Sequence, residues 1–265
     1  ATSLGLFLFS SKGTNLGGLW VNGNNDGLVY DLKEKNSKLF TGYTEDNIKE
    51  VALGKKVRQE FERSIKAVSD SKLKSIADFD KKYQFHTKEV ILVKTERYGY
   101  YNLVQKDGTN VILDIGLSEV FSHGSNTKEF KKRCLFYKAE VPKAFVGNWK
   151  KFDEDDDAEG KATISENGVI STDSDDTDIL IAKPLREYLV NKSGKVDNDK
   201  VQKEFDKIQK SLKSHGYQAK SVNDIYHDER SSYYFAVVDG GKRIVILEDS
   251  YGDLYSGYIE RQDKD

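Results

Sequence analysis

The chain has 265 residues, 37% of them apolar and 32% charged, with a formal net charge of −2. That length suits one large domain or two of roughly 120 residues, and strand-like runs such as KEVILVKT, NVILDI and RIVILED, with only two prolines, exclude a disordered chain. Cys134 is the single cysteine, which excludes an intramolecular disulfide and a cysteine-based zinc site, while bases interleaved with acids argue against a nucleic-acid partner.

In chain order, the first feature is an apolar run at residues 4–9 followed by the Ser/Gly/Asn stretch SSKGTNLGG. A bilayer span needs ~20 residues, so this run is too short to cross. It fits the tail of a signal sequence or lipoprotein-type membrane anchor with its linker, or else an ordinary first strand. No methionine occurs, which marks the chain as a processed or recombinant piece of a longer product. Together these features predict an extracytoplasmic, cell-surface protein, membrane-anchored upstream of residue 1. Lysine exceeds arginine 34 to 8, a bias of AT-rich genomes that fits a Gram-positive source.

The stretch GLWVNGNNDGLVYDL begins at Gly18, and GNWKKFDEDDDAEG begins at Gly147, 129 residues later. Helical spacing puts Val57, Phe61, Ile65 and Val68 on one face of KKVRQEFERSIKAV, and Val201, Phe205, Ile208 and Leu212 on one face of DKVQKEFDKIQKSL. After them come KSIADF and KSVNDI, then Tyr100–Tyr101 and Tyr233–Tyr234, then the runs Val111–Leu113 and Val245–Leu247, and last Phe121–Ser122 and Tyr255–Ser256. Landmarks recurring in one order predict a tandem duplication. Residues 1–16 are then an anchor remnant and linker, 17–130 the first repeat, 131–145 a connecting segment and 146–265 the second repeat.

The expected fold class is α+β: two tandemly duplicated antiparallel sheet or half-barrel units, each with one amphipathic helix. Asp107–Gly108 and Asp239–Gly240 are turn signals, and residues 221–260 read as three strands. The Gly-x-Trp at Gly18–Trp20 and at Gly147–Trp149 resembles the first strand of bacterial lipocalin-like proteins. That resemblance covers two stretches of some 15 residues and implies that each Trp plugs one end of a small barrel. The helix lies between strands rather than after the barrel, which departs from the lipocalin order.

The most unusual local feature is acidic. Asp153, Glu154, Asp155, Asp156, Asp157 and Glu159 precede KATIS-ENG-VIST, and Asp173, Asp175, Asp176 and Asp178 follow it. If that stretch is a hairpin closed at Glu166–Gly168, both acidic runs meet at its other end. The cluster reads as a solvated loop, a Ca²⁺ site or a surface for a basic partner. An EF-hand is excluded, because Ala158 and Ile164 stand where that loop needs Gly and Glu. Residues 1–145 carry 24 Lys and Arg against 18 Asp and Glu, a net of +6, and residues 146–265 carry 18 against 26, a net of −8. One repeat is basic and the other acidic.

Catalytic constellations are not apparent. His86, His123, His215 and His227 fall at unrelated positions, and no phosphate loop or nucleophile elbow occurs. KKYQFHTKEV and FKKRC read as solvated faces, and Cys134, in RCLFY, as a buried strand residue. The expectation is therefore a non-enzymatic cell-surface interaction protein, immunity-like in one version, whose partner is a macromolecule and most simply a protein. Its binding residues would be Asp153, Asp155, Asp156, Asp157, Asp173, Asp175, Asp176 and Asp178. The alternative is a small apolar-ligand carrier of lipocalin-like type.

Overall fold

The structure is a computed structural model that describes residues 16–33, 35–69, 72–122, 126–249 and 252–262. The apolar run at residues 4–9 and His123 lie outside the described residues. The chain divides into two compact units, one through Ala139 and the other from Glu140.

In the first unit, β1 (Gly18–Asn22), β2 (Gly27–Asp31), β3 (Lys38–Phe40) and β4 (Glu45–Leu53) precede helices α1 (Lys55–Val68) and α2 (Ile76–Tyr83). Then come β5 (Thr87–Thr95), β6 (Gly99–Gln105), β7 (Asn110–Asp114), α3 (Leu117–Ser122), α4 (Thr127–Cys134) and β8 (Leu135–Ala139). Each strand pairs antiparallel with the next, and β8 returns to β1 with Leu19 opposite Ala139, so the sheet closes into a barrel. Side chains alternate across a strand. Ile91, Val93 and Ile112 accordingly join Trp20, Leu28, Tyr30 and Phe136 in one cluster, while their neighbours Val90, Leu92, Val111 and Leu113 pack against Val57, Phe61 and Ile65 of α1 in another. Burial on both faces explains why these strands read as unbroken apolar runs.

Four expectations need correction here. Segment 131–145 does not merely connect: it supplies the end of α4 and β8, the strand that closes the barrel. The unit also carries more than one helix. Phe79, Tyr83, Phe85 and Phe130, drawn from the two segments expected to be solvated and from KSIADF, form a buried aromatic stack whose Tyr83 and Phe130 rings lie 3.9 Å apart. Finally, Cys134 is buried as expected, but it ends helix α4 rather than lying in a strand.

In the second unit, a 3-10 turn at Lys143–Phe145 leads into β9 (Gly147–Phe152), β10 (Ala158–Ile164), β11 (Val169–Thr172), β12 (Thr177–Ile179) and β13 (Ala182–Pro184). Helices α5 (Leu185–Tyr188) and α6 (Asn198–Ser214) follow, then β14 (Ile225–Asp228), β15 (Tyr233–Val238), β16 (Arg243–Glu248) and β17 (Tyr255–Arg261). Residues 221–260 thus form four strands, not three. The sheet order is β12-β11-β10-β9-β17-β16-β15-β14-β13. Its two outermost strands are joined in the chain by Leu180 and Ile181 alone, and three peptide links at ~3.8 Å hold Ile179 and Ala182 within about 11 Å. The sheet must therefore curl strongly enough to bring its two edges close together. Across that seam Arg230, in the turn after β14, donates from Nη1 to Asp178 Oδ1 at 2.7 Å and to Ile179 O at 3.4 Å in β12.

The Gly-x-Trp pair now has a physical cause. Trp20 Nε1 donates to Leu16 O at 2.7 Å, and Trp149 Nε1 donates to Phe145 O at 2.8 Å. A cation from the last strand lies over each ring, Lys138 Nζ at 5.9 Å from Trp20 and the Arg261 guanidinium at 4.3 Å from Trp149. Arg261 also donates to Ala144 O and Val146 O, at 2.7 Å each. Gly147 has φ +139, and a Cβ there would sit 2.5 Å from Arg261 Nη1. Only glycine fits that position.

Candidate functional site

The acidic residues occupy two hairpin turns of the second unit. KATIS-ENG-VIST is the hairpin β10–β11, closed where Ser165 N–H donates to Val169 O at 3.0 Å, so the acidic turns β9–β10 and β11–β12 lie at its opposite end. Each turn is held by its own backbone. Asp153 N–H donates to Asp157 O, Asp156 N–H donates to Asp153 O, and Asp156 takes the left-handed conformation at φ +62. In the other turn Thr172 N–H donates to Asp176 O and Asp175 N–H donates to Thr172 O, with Asp175 at φ +62. Aspartate tolerates this conformation better than most side chains, which gives the carboxylates a local structural role too.

The predicted residues divide by what they touch. Asp153 Oδ1 accepts the N–H of Asp155 and of Asp157, both at 2.9 Å. Asp173 Oδ2 accepts from Lys161 N–H at 3.3 Å, beside Gly160, which brings the second acidic run against β10. Asp176 accepts from Ser174 Oγ, and Asp178 is drawn away to the seam by Arg230 Nη1 at 2.7 Å. Asp155, Asp156, Asp157 and Asp175, with Glu154, are exposed and make no ion pair among the described residues. Nor do three His, Cys, Asp or Glu side chains converge on a metal-sized point among the described residues. What the turns present is a set of rigidly based, outward carboxylates suited to basic groups.

Other polar clusters were not foreseen from the sequence. Asp46 of β4, 2% exposed, accepts from Nε at 3.0 Å and Nη2 at 2.7 Å of Arg97, which lies in the β5–β6 turn. Inside the first barrel Tyr30 OH donates to Asn102 Oδ1 at 2.8 Å, and burial raises the Tyr30 phenol well above its ordinary value. Asn102 Nδ2 and Asn110 Oδ1, also inside, have no hydrogen-bond partner among the described residues. His227 lies flat on Tyr188 at 3.6 Å, with Nδ1 3.2 Å from Glu229. A signal for such groups is the polar residue inside an apolar alternation, as at Asn102 in GYYNLVQ.

Ser211, His215 and Asp253 meet at the end of α6, but the Ser211 hydroxyl donates to Asp253 Oδ1 at 2.8 Å while His215 Nε2 meets Asp253 Oδ2 at 2.6 Å. Each therefore contacts the carboxylate, which braces the helix end and leaves no serine–histidine contact of the nucleophile–base type. Burial pushes the Cys134 thiol up to about 11, so a reactive thiolate is disfavoured there. Compared with known proteins, the chain matches no family model, no curated protein and no solved structure.

Proposed function

We propose that this is a cell-surface interaction protein built from two related barrel units, and that the acidic turns of the second unit bind a basic macromolecular partner, most simply a protein. The observation that carries this reading is the set of exposed, unpaired carboxylates at Glu154–Asp157 and Asp175, mounted on turns that their own backbone bonds hold in place. Groups already fixed in position lose little freedom on binding, so charge there converts into specificity. Anchorage outside the cytoplasm belongs to the same proposal and rests on the sequence features described above.

Relatedness of the units has support at several levels. The strand order β1 to β8 has its counterpart in β9 to β17 if β12 and β13 are one strand broken at Leu180 and Ile181. The turns at Asn22 and Asp153 make the same four bonds, since Asn22 Oδ1 also accepts from residues two and four ahead. Lys-Ser-x-x-Asp is used alike: Lys74 N–H donates to Asp78 and Lys220 N–H to Asp224, with Ser75 and Ser221 each capping a helical turn. The last landmark does not support it, because Phe121–Ser122 ends helix α3 whereas Tyr255–Ser256 opens β17. The strand corresponding to β17 is β8, whose Lys138 covers Trp20 as Arg261 covers Trp149.

One observation favours the carrier reading for the second unit alone: Ile170, Phe235, Val237 and Ile259, which pack against the Trp149 cluster, are only half-buried. The two readings separate in one comparison. Cross-linking capture at the source cell surface is run with the wild type and with D155N/D156N/D157N/D175N. A partner captured by the wild type and lost by the variant is expected. Equal capture by both chains overturns the acidic-face reading, and an apolar adduct in native mass spectrometry of the purified chain replaces it with the carrier.

A further inference from the structure

Three polar side chains meet inside the first barrel: Tyr30 of β2, Asn102 of β6 and Asn110 of β7, each 0% exposed. Asn102 stands opposite Ile91 and Ile112, and Asn110 opposite Val104 and Phe136, so both amides share the face that packs around Trp20. Two hydrogen bonds join the three. Tyr30 OH donates to Asn102 Oδ1 at 2.8 Å, and Asn110 Nδ2 donates to the same oxygen at 3.3 Å. That leaves Asn102 Nδ2 and Asn110 Oδ1 without a partner among the described residues. Exchanging oxygen and nitrogen in both amides keeps both contacts, with Tyr30 now accepting, and still leaves one donor and one acceptor open in the same two places. Turning only one amide sets like atoms against each other. One unmet donor and one unmet acceptor therefore remain on neighbouring amides.

Burying an unmet polar group costs free energy that an apolar residue of similar shape avoids. The second unit avoids it at all three positions. Tyr30 lies opposite Gly18 of the first Gly-x-Trp, and Ile164 lies opposite Gly147 of the second. Asn102 follows Tyr100–Tyr101 where Phe235 follows Tyr233–Tyr234, and Asn110 precedes the run Val111–Leu113 where Ile244 precedes Val245–Leu247. The pairing agrees, since Val104 faces Asn110 as Val237 faces Ile244. Ile164, Ile244 and Phe235 all join the cluster around Trp149. An apolar set thus fills one barrel, and the polar set of the other goes with something held only there. Matching the positions rests on the relatedness proposed above; the two open amide groups do not. A metal ion needs only acceptors and an anion only donors, whereas this pair calls for a guest that accepts and donates at once. Side chains nearly fill an eight-stranded barrel, and Trp20, Tyr30 and Phe136 already occupy this one, so the guest is small. We infer that the first barrel holds an ordered water molecule that accepts from Asn102 Nδ2 and donates to Asn110 Oδ1.

The full chain and its Y30F/N102L/N110L variant are compared by oxygen-17 magnetic relaxation dispersion, which counts waters held inside a folded protein, and the wild type is crystallised for a structure at atomic resolution. The expected result is at least one long-lived water more in the wild type than in the triple variant. A single density peak should lie about 3 Å from both Asn102 Nδ2 and Asn110 Oδ1. The melting temperature should fall in N102L, which strands Asn110 and the Tyr30 hydroxyl, and recover in the triple variant, which removes every polar partner at nearly constant shape. Equal water counts, a triple variant no more stable than N102L, no density between the two amides, or a larger molecule there overturns the inference. The wild-type density decides the question even where a variant fails to fold. None of these residues lies in the acidic turns, so failure here is distinguishable from failure of the acidic-face reading.

Discussion

The glycine two residues before each tryptophan lets a cation from the last strand close over the ring. At Gly147 the added Cβ would meet Arg261 Nη1 at 2.5 Å, whereas at Gly18 it would meet only the flexible Lys138 Cε at 3.3 Å. Gly147→Ala should therefore destabilise the second unit by about 1–3 kcal/mol, more than Gly18→Ala affects the first, as read by chemical denaturation of each variant. Trp149 itself is 1% exposed, and Trp149→Ala should cost about 3–5 kcal/mol through the cavity it leaves; near-wild-type stability would place the ring outside the core. Cys134 offers a second test at this scale. With its thiol pushed up to about 11 by burial, alkylation at neutral pH should be slow in the folded chain and fast once denaturant is added. Rapid labelling of the folded chain would show that α4 opens locally.

At the scale of elements, helices end where a side chain takes over the backbone groups left unpaired by the last turn. Helix α6 starts at the Asp197 cap, which accepts Lys200 N–H at 3.2 Å, and ends in a clamp of Ser211 and His215 on Asp253. The hydrogen bond from His215, followed by that from Ser211, holds the Asp253 carboxyl below the usual carboxylate range. A lowered value contributes stability that is complete above the unfolded pKa of about 3.9 and is lost as pH falls through the folded value. Asp253→Asn should thus lower the melting temperature at pH 6, and the gap from wild type should close as the pH approaches about 2. A gap that persists in acid would mean that Asp253 acts through its shape rather than its charge.

At the scale of the molecule, barrel closure in the first unit depends on β8, which pairs with both β1 and β7. A fragment ending at residue 130 leaves two strand edges without partners, whereas one ending at residue 139 retains the ring. The shorter fragment should melt lower and aggregate more, as exposed edges do, in a light-scattering comparison of the two. Much of this organisation is legible in the letters. The periodicity of KKVRQEFERSIKAV matches α1 from Lys55 to Val68, and the Glu166–Gly168 turn brings two acidic runs to one end of a hairpin. Such features depend on neighbours within a few residues, whose spacing alone dictates a face or a turn. The return of β8, the break at Leu180–Ile181 and the burial of Phe79, Tyr83 and Phe130 beneath charged flanks depend on partners far away in the chain. So does the fate of each carboxylate, since Asp178 is paired with Arg230 from the β14–β15 turn while Asp175 is left to solvent. The sequence by itself determined the amphipathic helices α1 and α6, the turn of the β10–β11 hairpin and the opposite charges of the two halves. Only the tertiary structure decided which strands close a ring and which charges stay unpaired, because both depend on distances that chain order does not contain.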